Sequence, residues 1–187
     1  MAELRPRVVR VKGGGIALRL TAPERAILGA SLSELREIVG PLAGGRPEDV
    51  GPVDAGPDPA LDRLYPTAIP GDAVADAAFR DLTRADLEET RRGRIAVMEA
   101  TLDAGSLDDG QATAWMGALN DLRLVLGTRL GVTDESETRP IDEDDPDADR
   151  RIVFAYLGWL LGQFVDVLEA GLPAIDDQDG DRPTGSS

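Results

Sequence analysis

The stretch Trp115-Met116-Gly117-Ala118-Leu119-Asn120-Asp121-Leu122-Arg123-Leu124-Val125-Leu126-Gly127-Thr128-Arg129-Leu130 decides the fold. Trp115, Leu119, Leu122, Leu126 and Leu130 recur at helical spacing and form one continuous apolar stripe. Leu124 and Val125 fall outside that stripe, so a second side of the helix is also covered. Asp108 or Asp109 caps a helix over 112–130, which Gly131 ends. Asn120, Asp121, Arg123, Thr128 and Arg129 sit inside this apolar setting. With Trp115, they fit either of two roles. One is a satisfied internal network, for instance Asp121 paired with an Arg of a neighbouring helix. The other is a recognition surface for a protein partner.

Upstream, Thr21-Ala22-Pro23-Glu24 is a capping box with Pro in the first turn. It starts a helix whose Ile27/Leu28, Leu32, Leu35 and Ile38/Val39 lie on one face, stopped by Gly40-Pro41. Before it, Val9, Val11, Ile16, Leu18 and Leu20 alternate with Arg10, Lys12, Ala17 and Arg19, predicting a half-buried hairpin that turns at Gly13–Gly15. No helix follows that glycine turn and no Lys-Ser/Thr closes it, which separates it from a phosphate loop.

Residues 41–60 hold five Pro and four Gly and read as a flexible loop. Order resumes at 61–65. Asp72 caps a short helix through Ala77, Phe79 and Leu82, and Thr83 with Asp86 starts another that carries Leu87, Ile95, Met98 and Leu102 to Gly105. Residues 133–149 form an acidic linker, a last helix covers about 147–172, and 173–187 reads as a disordered acidic tail. The expected fold is mainly α, an N-terminal β-hairpin packed on a bundle of about five helices in a single domain over 1–172.

The last helix carries its own signal. Its apolar run, 152–165, has 14 residues, shorter than the roughly 20 of a membrane span. It is therefore expected to be buried at the centre of the bundle or of a dimer. Gly158 and Gly162, one turn apart, permit the close approach of another helix from this chain or a second copy. A homodimer through this helix is thus an expectation.

Composition narrows the chemistry. The 187 residues include no His and no Cys, and the formal charge is -15. Residues 1–40 carry 7 basic and 4 acidic groups, whereas 134–187 carry 4 and 15. Such a field repels phosphate backbones, so nucleic-acid binding by the chain alone is not expected. Arg84, Arg91, Arg92 and Arg94 are balanced by Asp81, Asp86, Glu88 and Glu89, which predicts a salt-bridged face.

Asp145, Asp147 and Asp149 occupy places one, three and five of a calcium loop, but Arg150 stands where Gly belongs and Tyr156 where Glu belongs. No metal or cofactor is expected. Ser and Thr nucleophiles lack a His base and the sole Lys12 lies in the hairpin, which disfavours an enzyme. No N-terminal signal segment is apparent, and a cytoplasmic protein is expected.

The core Leu119-Asn120-Asp121-Leu122-Arg123, followed by Gly127-Thr128-Arg129-Leu130, resembles the signature of an actinobacterial family, the AosR-type oxidative-stress regulators, encoded beside the ClpS adaptor. Leu64-Tyr65-Pro66, Phe79-Arg80-x-Leu82-Thr83 and the apolar last helix extend the resemblance over most of 6–172. It implies a transcriptional regulator working with a sigma factor and RNA polymerase. The same gene neighbourhood implies, as an alternative, an accessory of ClpS/Clp proteolysis. A carboxylate-dependent metal-binding enzyme is the third class. A thiol switch does not carry over to a chain without Cys, and Met98 and Met116, both expected to be buried, are poor substitutes.

Overall fold

A computed structural model describes residues 5–12, 14–40, 59–64, 73–133, 141–142 and 144–171. Most of the loop expected over 41–60, much of the 133–149 linker and the tail over 173–187 lie outside the described residues. The elements run β1 (Val8–Arg10), β2 (Ile16–Leu18), α1 (Ala22–Val39), α2 (Pro59–Leu64), α3 (Ala73–Thr101), β3 (Ser106–Leu107), α4 (Asp109–Arg129) and α5 (Ala148–Glu169). The protein is mainly α with a small N-terminal antiparallel sheet.

The hairpin turns where three glycines were found. Gly14 and Gly15 take φ of 105° and 82°, a region that side chains disfavour. The register pairs Val8 with Leu18 and Arg10 with Ile16. The buried residue of β1 is therefore Val8, while Val11 is 45% exposed. This corrects the alternation read through Val9 and Val11. With valines at 8, 9 and 11 the pattern is ambiguous, and a one-residue slip exchanges the faces of a strand.

β3 joins the other edge of β2 antiparallel, with Leu107 opposite Ile16. Two residues carry too little periodicity to be seen in sequence. The free edge of β1 is covered by α5, where Gln163 Oε1 accepts from the backbone N–H groups of Arg7 (2.6 Å) and Val8 (3.2 Å).

α1 starts as expected: the Thr21 side chain accepts from the Glu24 N–H, and Glu24 returns to the Thr21 N–H. α3 is a single helix of 29 residues, not two. Thr83 and Asp86 have capping spacing, but no Gly or Pro interrupts the chain between Leu82 and Leu87, so nothing stops propagation. The same helix ends at Thr101, four residues before Gly105. α4 begins earlier than expected, through a second capping box between Asp108 and Gln111.

α4 is the central element, packed against α1, α2, α3, α5 and β3. Its Trp115, Ala118, Leu119, Leu122 and Val125 meet Leu28, Leu32 and Leu35 of α1, Met98 of α3 and Leu160 and Phe164 of α5 in one core. Trp115 stacks on Phe164 with ring centroids 5.5 Å apart and donates its indole N–H to Thr101 Oγ1 at 2.7 Å.

The part of the expectation that places the last helix at the centre of this chain's own bundle is corrected. Only Leu157, Leu160 and Phe164 of α5 are fully buried, and Ile152 is 55% exposed. Its 22 residues, with a window of mean hydropathy 1.5, also make it long and apolar enough to cross a membrane by length and composition, beyond the 14-residue run considered from sequence.

Candidate functional site

The two sides of α4 do different things. On the α3 side, Asp121 is 2% exposed and pairs with Arg91 Nε at 3.3 Å. Burial raises the pKa of this carboxylate, and the charges of Arg91 and Arg94 pull it back only in part. Arg94 lies across Gly117, where a Cβ would stand 2.6 Å from its Cδ. The absence of a side chain at 117 is what admits the α3 arginine to the helix surface.

The Arg91 and Arg94 charges thus turn toward α4, while Arg92 meets Glu88 one turn away at 3.8 Å. A balancing acid for Arg91 is thus Asp121 of another helix.

On the other side, Asn120, Arg123, Leu124, Gly127, Thr128 and Gly131 recur at positions i, i+3, i+4, i+7, i+8 and i+11, one face of the helix, and line a cleft of about 430 Å³. Its opposite walls are Arg63 of α2, Phe154 of α5, and Val132 and Thr133 beyond α4. Arg123 is fixed by what surrounds it. Its guanidinium lies 4.8 Å from the Phe154 ring centroid, and a Cβ on Gly158 would come within 3.2 Å of its Nε. A Cβ on Gly127 would stand 3.0 Å from the same ring. The two glycines seat Phe154 and Arg123 against each other.

The helix end beside this cleft is closed by a Schellman arrangement. Gly131, at φ 59°, gives its N–H to Thr128 O at 3.1 Å, and the Val132 N–H reaches Gly127 O at 2.8 Å. Thr128 Oγ1 donates to Leu124 O at 2.7 Å. Three carbonyls of the last turns are thereby occupied from within the chain.

The residues singled out from sequence are divided by this geometry. Asn120, Arg123 and Thr128 come together at the cleft. Asp121 is inside, on the α3 side, and Trp115 is in the core at 0% exposure. Arg129 points to a third direction and pairs with Glu34 of α1. That pair borders a second cavity of about 520 Å³, floored by Leu35, Leu122, Val125 and Leu157. Gly158 serves the contact with Arg123 inside the chain, whereas a Cβ at Gly162 would meet nothing.

Arg63 and Phe154 are cleft residues that sequence reasoning missed. Neither lies near α4 in the chain, and no local pattern marks them. The three-and-four spacing from Asn120 to Gly131 was available, but the larger apolar stripe masked it. The acidic run before α5 serves the local fold: Asp145 Oδ1 accepts from the Asp147 N–H at 2.9 Å, and its Oδ2 pairs with Arg151 at 2.6 Å. Met98 is fully buried, while Met116 is partly exposed.

One central helix, with its apolar stripe in the core and an opposite polar stripe lining an open cleft, defines a helical domain of one architecture. Residues 5–168 match the profile of the family described as "Domain of unknown function (DUF2017)", and the chain belongs to that family. It is 34% identical over 76 residues to the protein named "Oxidative stress regulator AosR" in Mycobacterium bovis and Mycobacterium tuberculosis, which covers 38% of this chain and 35% of theirs. A Mycobacterium leprae protein provisionally given the same name is 34% identical over 112 residues, 54% of this chain and 51% of that one. The chain thus spans about half the length of these relatives or less. No solved structure matches it.

Proposed function

We propose that this chain is a protein-binding regulator of the oxidative-stress response that acts in the cytoplasm with a sigma factor and RNA polymerase, and does not hold DNA alone. The charge carries this reading: a net -15 opposes a phosphate polyanion at every distance that salt leaves unscreened. The names of the mycobacterial relatives support the stress-response part. The indirect route also accommodates the composition. Thiol sensing requires a thiolate, this sequence contains no Cys, and a redox signal then enters through the partner.

Gel-shift measurements at physiological salt test the reading, with promoter DNA alone and with polymerase holoenzyme. The expected outcome is no shift by the isolated protein and a supershift with holoenzyme. Tight DNA binding by the isolated chain overturns the indirect route, and absence of polymerase subunits after affinity purification from the native host overturns the partner.

A further inference from the structure

We infer that the outward face of the β1–β2 hairpin is a docking surface for an acidic segment of a partner polypeptide, one that carries apolar residues among its carboxylates. This rests on the protein-binding reading above and names the surface through which that binding runs.

The sequence sets the charge. From Leu4 to Pro23 the chain holds Arg5, Arg7, Arg10, Lys12 and Arg19 and no Asp or Glu, although it has 35 acidic against 20 basic residues in all. Folding this stretch into a hairpin doubles it back on itself and gathers its charge within about 20 Å. Two of the cations are answered from elsewhere in the fold, Arg7 by Glu24 at 2.8 Å and Arg10 by Asp109 at 3.0 Å. Lys12 near the tip and Arg19 just after β2 are exposed and enter no ion pair among the described residues. On a molecule of net charge -15, such a surface draws an acidic partner to one place while the rest repels it.

The register sets the face. Val8, Ile16 and Leu18 are buried, so Val9 and Ala17, which pair across the two strands, point the other way and are half-buried. The Arg19 N–H donates to Arg7 O at 2.8 Å, which extends the ladder and puts both arginines on that same outward face. Val11, which is exposed, continues the face toward the tip. An apolar middle of Val9, Val11 and Ala17 therefore lies between Arg7 and Arg19 at one end and Lys12 at the other. Apolar centre and charged rim are the anatomy of a protein–protein interface.

This pattern selects the occupant. A peptide with both kinds of side chain sets carboxylates against Lys12 and Arg19 and covers the valines with apolar groups. A DNA duplex does neither well. It carries one charge per roughly 1.7 Å of axis, so its phosphates overrun a hairpin of about 20 Å and run on into the field of the acidic body. It also presents phosphates, not apolar groups, to Val9 and Val11.

Calorimetric titration of the full chain at physiological ionic strength tests the face with acetyl-Glu-Glu-Leu-Leu-Glu-Glu-amide, with its counterparts bearing Gln for Glu or Ser for Leu, and with a short DNA duplex. The first peptide is expected to bind, and both counterparts to bind more weakly. Lys12→Glu and Arg19→Glu change exposed side chains and are each expected to weaken binding at least about fivefold, with the thermal midpoint unchanged. Arg36→Glu, in the last turn of α1, makes the same change in net charge away from the hairpin and is expected to leave binding as it is.

No peptide bound below about 10 mM overturns the proposal, as does equal weakening by all three variants or equal binding of the serine peptide. A duplex that binds more tightly than the peptide and is weakened by the two hairpin variants assigns the face to nucleic acid and overturns it too. Peptide binding that appears only after Asp176, Asp177, Asp179 and Asp181 are replaced by Asn gives the face to this chain's own acidic tail and removes the partner polypeptide. Peptide binding as expected, without polymerase in the affinity purification, upholds the face and removes only the partner named above.

Discussion

Asp121 is the one polar side chain fully enclosed among the described residues, and its surroundings explain why it tolerates that position. Taking a carboxylate out of water is costly, and only a nearby cation with good geometry offsets it. Arg91 at 3.3 Å supplies the charge, though its Nε and Asp121 Oδ2 do not align as a hydrogen bond, and Arg94 adds a second positive charge, so the offset is partial. Arg91→Met is therefore expected to destabilise the fold by about 3 kcal/mol, because it leaves Asp121 buried without its main partner. Adding Asp121→Leu to that variant is expected to recover most of the loss, read as midpoints of urea denaturation. A single Asp121→Leu variant completes the cycle and isolates the coupling. The sequence shows the polar residues from Asn120 to Arg129 in order, but not which go inward. Asn120 and Asp121 are adjacent in the chain and about 100° apart around the helix, so one faces the cleft and the other the interior. Which Arg answers Asp121 depends on how α3 crosses α4, and that is a property of tertiary packing.

The capping boxes show how far local chemistry reaches at the level of the element. Thr21/Glu24 and Asp108/Gln111 both form reciprocal caps, and both follow chain that cannot continue as helix. Thr83 and Asp86 have the same spacing, but α3 runs through both positions and no helix starts there. A cap signal is decisive only where a break accompanies it. Thr21→Ala removes both Thr21 hydroxyl contacts at the start of α1, the one it accepts from the Glu24 N–H and the one it donates to Glu24 Oε2. The expected loss is about 1 kcal/mol by chemical denaturation. Helix existence, the apolar face of α1 and the stripe of α4 were legible in this way. β3 was not, since its two residues take their conformation from β2. The inward residue of β1 was not either, because three valines in four positions leave the phase to the register with β2.

The charge of the whole molecule sets how these local contacts answer to pH and salt. Burial alone would raise the pKa of Glu24, but the Thr21 N–H, the Arg7 guanidinium and the Thr21 hydroxyl outweigh it and hold it below the ordinary 4.5. A carboxylate held low in the folded state adds stability that is fully present above its unfolded pKa and is lost as pH falls through the folded value. Asp121 runs the other way: its pKa is raised in the fold, so its contribution is present below 3.8 and is lost as pH rises through the raised value. Over both lies the self-repulsion of the net -15 charge, which fades toward the isoelectric point near 4.3. At pH 7 salt screens more repulsion than attraction, so raising ionic strength from about 0.01 to 0.15 M is expected to raise the thermal midpoint. Near pH 4.3 the repulsion is gone, and the same salt acts only on attractive pairs such as Arg7–Glu24, so the midpoint is expected to stay level or fall. Glu24→Gln removes the Glu24 contribution, and its stability deficit relative to the parent chain is expected to be constant above pH 5 and to shrink below about pH 4.5. Equal salt responses at the two pH values, or a deficit that grows on acidification, would show that other groups govern the acid limb.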